Sequence, residues 1–244
     1  MLELKNISFS VPAENGAKTE ILKDVSFTVS ERFVAITGPN GSGKSTVAKI
    51  IAGIVKPTSG RIILDGEDIT DLSVTERAQR GISFAFQQPV RFKGITVSDL
   101  ITLAAGRKLS VAEICTFLSE VGLCARDYIN REINASLSGG ELKRIEIATV
   151  LARETPFSVF DEPEAGIDLW SFNNLISVFE KMRDKCKGSI LIISHQERIL
   201  NIADKIVVVA DGRLEQVGSK DEILPALLGK AGSPCKTLLD KVSL

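Results

Sequence analysis

The run FVAITGPNGSGKSTVAKIIA, residues 33–52, decides the fold of this 244-residue chain. Phe33 to Thr37 read as a buried strand and Val47 to Ala52 as the apolar face of a helix. Between them, Gly38 to Thr46 fit G-x-x-x-x-G-K-[ST], a loop whose glycines let successive amides turn inward where a helix begins. Such a loop holds an anion, and a triphosphate fits it. The expected contacts run through Gly38, Pro39, Asn40, Gly41, Ser42, Gly43, Lys44, Ser45 and Thr46. Lys44 would reach the β- and γ-phosphates and the Ser45 hydroxyl would serve Mg2+.

Strand-length apolar runs recur downstream at Ile82-Phe86, Phe157-Phe160, Ile190-Ser194 and Ile206-Ala210, separated by longer helical patterns. That rhythm predicts an α/β fold with a mostly parallel central sheet, and the Gly38–Thr46 loop makes it a P-loop NTPase type. Leu2 to Val11, Ile21 to Val29 and Arg61 to Leu64 lie between turn-rich stretches and predict an N-terminal antiparallel β subdomain. Asp211-Gly212, between Ile206-Ala210 and Leu214-Val217, is a hairpin signal. From Pro89 to about Ala152 helical patterns dominate. Ser110-Val-Ala-Glu113 is a capping box opening an apolar face at Val111, Ile114, Cys115 and Leu118, with Gly122 as the stop. The expected organisation is one domain over 1–244: a catalytic core in 1–87 and 153–228, an inserted helical subdomain in 88–152, and a loosely held C-terminal tail in 229–244.

Open α/β sheets bind ligands at the carboxyl ends of their strands, so polar residues there are candidates. Asp161 and Glu162 close the strand FSVFDE; Asp161 would orient Mg2+ and Glu162 would polarise the attacking water. Ser158 interrupts that apolar run, with a hydroxyl small enough to satisfy itself locally. His195 follows Ile190-Ser194 and would contact the γ-phosphate. Gln87 ends another strand and would touch Mg2+ or the water, with Gln88 as the rival assignment. A second glycine pair, in Leu137-Ser-Gly-Gly-Glu141, opens a helix and could bind a phosphate of its own.

Composition narrows the rest. With 30 Lys+Arg against 31 Asp+Glu, the net charge of -1 gives no footprint for nucleic acid. The apolar runs fall far short of the roughly 20 residues of a spanning helix, and no signal peptide is visible, so the expected location is cytoplasmic, without direct membrane insertion. Cys115, Cys124, Cys186 and Cys235 form no metal-ligand spacing with the single His195, and read as reduced thiols.

The order of P-loop, strand-end glutamine, LSGG, Asp-Glu and strand-end histidine resembles an ABC-type ATPase over nearly the whole chain. That resemblance implies ATP and Mg2+ as cofactors, and Lys44, Glu162 and His195 as catalytic residues. Metal contacts would come from Ser45, Gln87 and Asp161. It also implies a second ABC ATPase subunit bound head to tail, so that Ser138, Gly139, Gly140 and Glu141 act in trans on the partner's ATP. Asp168, at the D-loop aspartate, would lie at the same junction, and a lone monomer would hydrolyse poorly. Within the family, GELKRIEI (140–147) and AFQQPV (85–90) with Gly94 look like the SufC type of iron–sulfur cluster assembly, and Val11 replaces the adenine-stacking tyrosine of many transporters. The implied partner is then a SufB/SufD-like scaffold. The alternative is the cytoplasmic ATP-binding subunit of a membrane transporter, with a permease as partner. Chromosome-maintenance relatives would need a long heptad segment, for which the insertion has no room.

Overall fold

The computed structural model describes residues 1–12, 18–134, 136–185 and 188–231. The chain runs β1 (Leu2–Pro12), β2 (Lys18–Val29), β3 (Phe33–Thr37), α1 (Lys44–Ala52), β4 (Ser59–Leu64), β5 (Glu67–Asp68), α2 (Val74–Gln79) and β6 (Ile82–Ala85). Next come α3 (Val97–Ala105), α4 (Val111–Glu120), α5 (Ala125–Tyr128), α6 (Gly139–Arg153), β7 (Phe157–Asp161) and α7 (Leu169–Lys185). The chain continues as β8 (Ser189–Ile193), α8 (Glu197–Ile202), β9 (Lys205–Ala210), β10 (Arg213–Ser219) and α9 (Lys220–Ala231).

The six-stranded sheet has the order β10-β9-β3-β8-β7-β6, parallel throughout except for β10 at one edge. Its strands are apolar on both faces because both are covered. Val34 and Ile36 of β3, Leu191 and Ile193 of β8, and Val207 and Val209 of β9 face a core shared with α1 and the N-terminal sheet. Their neighbours Phe33, Ala35, Ile190, Ile192, Ile206 and Val208 face the opposite core. There Phe179 of α7 meets Phe33 and Phe160 edge-on, with ring centroids 6.1 and 5.0 Å away.

The antiparallel sheet, order β2-β1-β4-β5, lays Leu2, Leu4, Leu22, Val25, Ile62 and Leu64 over Val47, Ile50 and Ile51 of α1. At about 1.5–3 kcal/mol for each large aliphatic side chain fully buried, this contact fixes where the loop before α1 sits. On the other side, α3, α4 and α6 join through Val97, Ile101, Ile114, Leu118, Ile145 and Ala148. Ser73, Thr96, Ser110 and Ser138 each close a capping box, at α2, α3, α4 and α6.

Most expected strands shift by one or two residues, and one shift has a cause in the site. β6 stops at Ala85 rather than Phe86, because the Phe86 N–H goes to the Glu146 carboxylate and its carbonyl to Lys143, both on α6. The predicted hairpin is present, with Asp211 and Gly212 at φ 50° and 77° between β9 and β10. Ser158 is satisfied, but across strands: its hydroxyl lies 3.1 Å from that of Ser83 on β6 and 3.3 Å from that of Thr155. α9 continues to Ala231, so residues 229–231, expected in the tail, are helical; residues 232–244, like Cys186 and Cys235, lie outside the described residues. No helix among the described residues is long and apolar enough to cross a membrane.

Candidate active site

Parallel β3, β6, β7 and β8 bring their carboxyl ends to one sheet edge, so the residues that follow them meet. After β3 the chain turns at Gly38, φ 137°, where an added Cβ would sit 1.9 Å from the Val209 carbonyl oxygen. Gly43, φ 98°, is the N-cap of α1, which has no side-chain cap and no acid in its first turn. The first amides of α1 are therefore left to an anion. Lys44 is 4% exposed, and its ammonium donates to the carbonyls of Gly38 at 2.8 Å and Pro39 at 2.7 Å. Burial depresses its pKa, against the opposing charges of Glu162 and Asp161. The Ser42 hydroxyl is buried without a protein partner, as a phosphate-binding group would be.

From β7, Asp161 reaches under this loop and accepts the Ser45 hydroxyl at 2.9 Å. Burial, and secondarily the charge of Glu162, raises the Asp161 carboxyl, while the Ser45 hydrogen bond opposes them. Glu162 leaves the strand with φ 45°, its N–H donating to the Ile193 carbonyl at 3.0 Å. The carboxylate lies between two expected partners. Gln87 Nε2 donates to Oε2 at 2.6 Å, and His195 Nε2 stands 3.4 Å from Oε1. Burial and the Lys44 charge lower the His195 pKa, against an upward pull from Glu162, and so favour the neutral imidazole.

The second glycine pair lies apart from this cluster in sequence, at the start of α6. Ser138 is the N-cap, and its hydroxyl accepts the Glu141 N–H at 3.3 Å. Gly139 and Gly140 have open space where a side chain would be. Glu141 is turned inward to its own subdomain: it accepts the Ser138 N–H at 2.6 Å and the Tyr128 hydroxyl, with Arg131 at 3.5 Å. Those contacts, the Tyr128 bond foremost, hold its pKa down at about 2. Asp168 accepts the Ser171 N–H at 3.0 Å at the start of α7.

The family model described as ABC transporter matches residues 22–165. This chain is a member of that ABC ATPase family. An uncharacterised ABC transporter ATP-binding protein of Methanocaldococcus jannaschii is 41% identical over 84% of this chain and 85% of its own length. A probable ABC transporter ATP-binding protein of Streptococcus pyogenes is 37% identical over 95% and 93%. Among solved structures, a dimeric post-hydrolysis ATP-binding cassette bound to ADP and Pi is 26% identical, with a TM-score of 0.80 over 90% of this chain and 99% of that one.

ABC ATPase domains hydrolyse ATP with Mg2+, and the residues here fit both. Uncapped amides, the buried Ser42 hydroxyl and the Lys44 ammonium suit a polyphosphate. Ser45 and Asp161 offer only hard oxygen donors, as Mg2+ prefers. Among the described residues no group of three or more His, Cys, Asp or Glu could hold a metal ion. Gln87, expected to touch Mg2+ or the attacking water, stands here against Glu162. Three residues of this ABC ATPase had no site role assigned from sequence. Glu164 is half-buried, which raises its pKa; Oε1 accepts the Ser194 hydroxyl, beside His195, while Oε2 has no hydrogen-bond partner among the described residues. Lys143 and Glu146 form an ion pair on α6 at 3.1 Å. Their signal was available as charges among the core positions Leu142, Ile145 and Ile147.

Proposed function

We propose that this ABC ATPase works as a cytoplasmic subunit paired head to tail with a second ABC ATPase subunit, and that closure over two ATP molecules drives a shape change in a docked partner. The Gly38 to Thr46 loop and Lys44 bind the phosphates, with Ser45 and Asp161 on the Mg2+ side. Mg2+ supplies neutralising charge to the β- and γ-phosphate oxygens. Glu162 takes the proton of the attacking water; Gln87 and neutral His195 aim its carboxylate, and His195 reads the γ-phosphate. Ser138, Gly139 and Gly140, with Glu141 locking their turn, close the partner's site, and Asp168 lies at the junction. Residues 88–152 act as the helical subdomain that carries this signature.

The observation that carries the reading is the Gln87–Glu162 contact, which ties the water-activating group to the chain entering the helical subdomain. Beside it, Phe86, Val90 and Phe92 are exposed around a cleft of about 160 Å3 that reaches Leu142 and Ile145. Exposed apolar side chains at such a joint suit a partner that feels the nucleotide state. The relatives bear transporter names, which favours a membrane permease in that place. A second reading, a SufB/SufD-like scaffold of iron–sulfur cluster assembly, rests on the likeness of residues 140–147 to the SufC type. A tagged full-length chain captured from native cells, with membranes and cytosol fractionated, separates the two. A stoichiometric integral membrane partner supports the permease and excludes the scaffold; a soluble partner reverses that assignment.

A further inference from the structure

Lys143 is 1% exposed and Glu146 14% exposed, yet the mechanism above uses neither. A buried ion pair loses much of its attraction to desolvation, and a well-packed apolar pair would hold α6 at least as well. What the charged pair does instead is grip the chain leaving β6. Glu146 Oε1 accepts the Phe86 N–H at 2.8 Å, and the Lys143 ammonium donates to the Phe86 carbonyl and, at 3.5 Å, to that of Gln87. The Gln87 side chain then donates to Glu162. One helix thus carries at its first turn the Ser138-Gly139-Gly140 stretch, and within two turns the clamp that sets the aim of its own Glu162. A rigid element linking both places transmits small displacements from one to the other.

We propose that Lys143 and Glu146 are positioning residues that couple the two ATP sites of the dimer: seating of α6 on the partner's nucleotide moves the Phe86–Gln87 segment and so aligns Glu162 in this chain's own site. The inference rests on the trans reading of Ser138 to Gly140.

Steady-state ATPase of the full-length protein with Mg2+, read as kcat, KM and Hill coefficient, tests it on Glu146→Gln and on the double variant Lys143→Met/Glu146→Leu. The wild type is expected to show a Hill coefficient above 1. Glu146→Gln should lower kcat about tenfold, as small misplacements of a reacting group do, with KM within about twofold and the Hill coefficient falling to 1. The double variant refills the core without charge and should melt no lower than wild type, yet remain slow and non-cooperative. A double variant with wild-type kcat and Hill coefficient overturns the proposal, because a merely structural pair is rescued by refilling. So does a non-cooperative wild type. Should the double variant fail to fold, unchanged kinetics in Glu146→Gln overturn it alone. The underlying reading fails separately, if Glu162→Gln stays monomeric in ATP; if Glu162→Gln dimerises and the double variant behaves as wild type, only the coupling is lost.

Discussion

Protonating His195 would put a charge beside Lys44 and in a half-buried place, and both effects hold its pKa below the ordinary 6.5 against a weaker upward pull from Glu162. Because the unfolded chain binds this proton more readily, stability contributed at neutral pH falls as pH drops through 6.5 toward the depressed folded value. His195 is the only histidine of the chain, so its ring protons report alone in an NMR titration. A midpoint below 6.5 is expected; one at or above 6.5 would contradict the contacts described for it. Residues such as Lys44, Ser45, Asp161 and Glu162 were legible because phosphate and Mg2+ chemistry demands those types at strand ends and in one glycine loop. Gln87 was located but not its partner, since an isolated glutamine has no spacing that names what it touches. Glu141 was read as part of the trans signature and as a mark of the SufC type, although Ser138-x-x-Glu141 also spells a capping box. Lys143 and Glu146 were read only as part of the SufC-type stretch 140–147, because helical charges are ordinarily solvated.

Elements were read well wherever both faces are buried, as in β3, β7, β8 and β9, whose apolar runs need no periodicity to stand out. The end of β6 was misplaced because side chains of α6, distant in sequence, take the backbone groups of Phe86. β5, two residues long, has no pattern to detect. The β9–β10 hairpin was legible from its turn chemistry alone, and it offers a test at this scale. The Gly212 carbonyl accepts the Lys23 N–H at 2.7 Å, tying the hairpin to β2, and an added Cβ would fall 2.4 Å from the Ile21 carbonyl oxygen. Gly212→Ala, which combines that clash with a positive φ, should cost about 1–3 kcal/mol in chemical denaturation. Asp211→Gly relieves φ 50° and should change stability by no more than about 0.5 kcal/mol. Equal stability of the two variants would contradict the turn as described.

For the whole molecule, the sheet order explains why one edge collects the P-loop, Gln87, Glu162 and His195, while the Ser138-Gly139-Gly140 stretch opens α6. Spacing alone named both halves, and only the family resemblance joined them, by proposing that the signature serves the ATP of a second chain. The proposed docked partner rests on exposed apolar side chains at Phe86, Val90 and Phe92. The central claim is that two such chains close on ATP, and sedimentation of Glu162→Gln with saturating Mg2+ and ATP tests it most directly. Slowed proton abstraction should let the closed pair accumulate, so a dimer mass is expected with ATP and a monomer mass without it. Adding Ser138→Arg should return the monomer mass while ATP binding persists. A monomer mass for Glu162→Gln under ATP saturation, or a dimer indifferent to Ser138→Arg, would contradict the head-to-tail site.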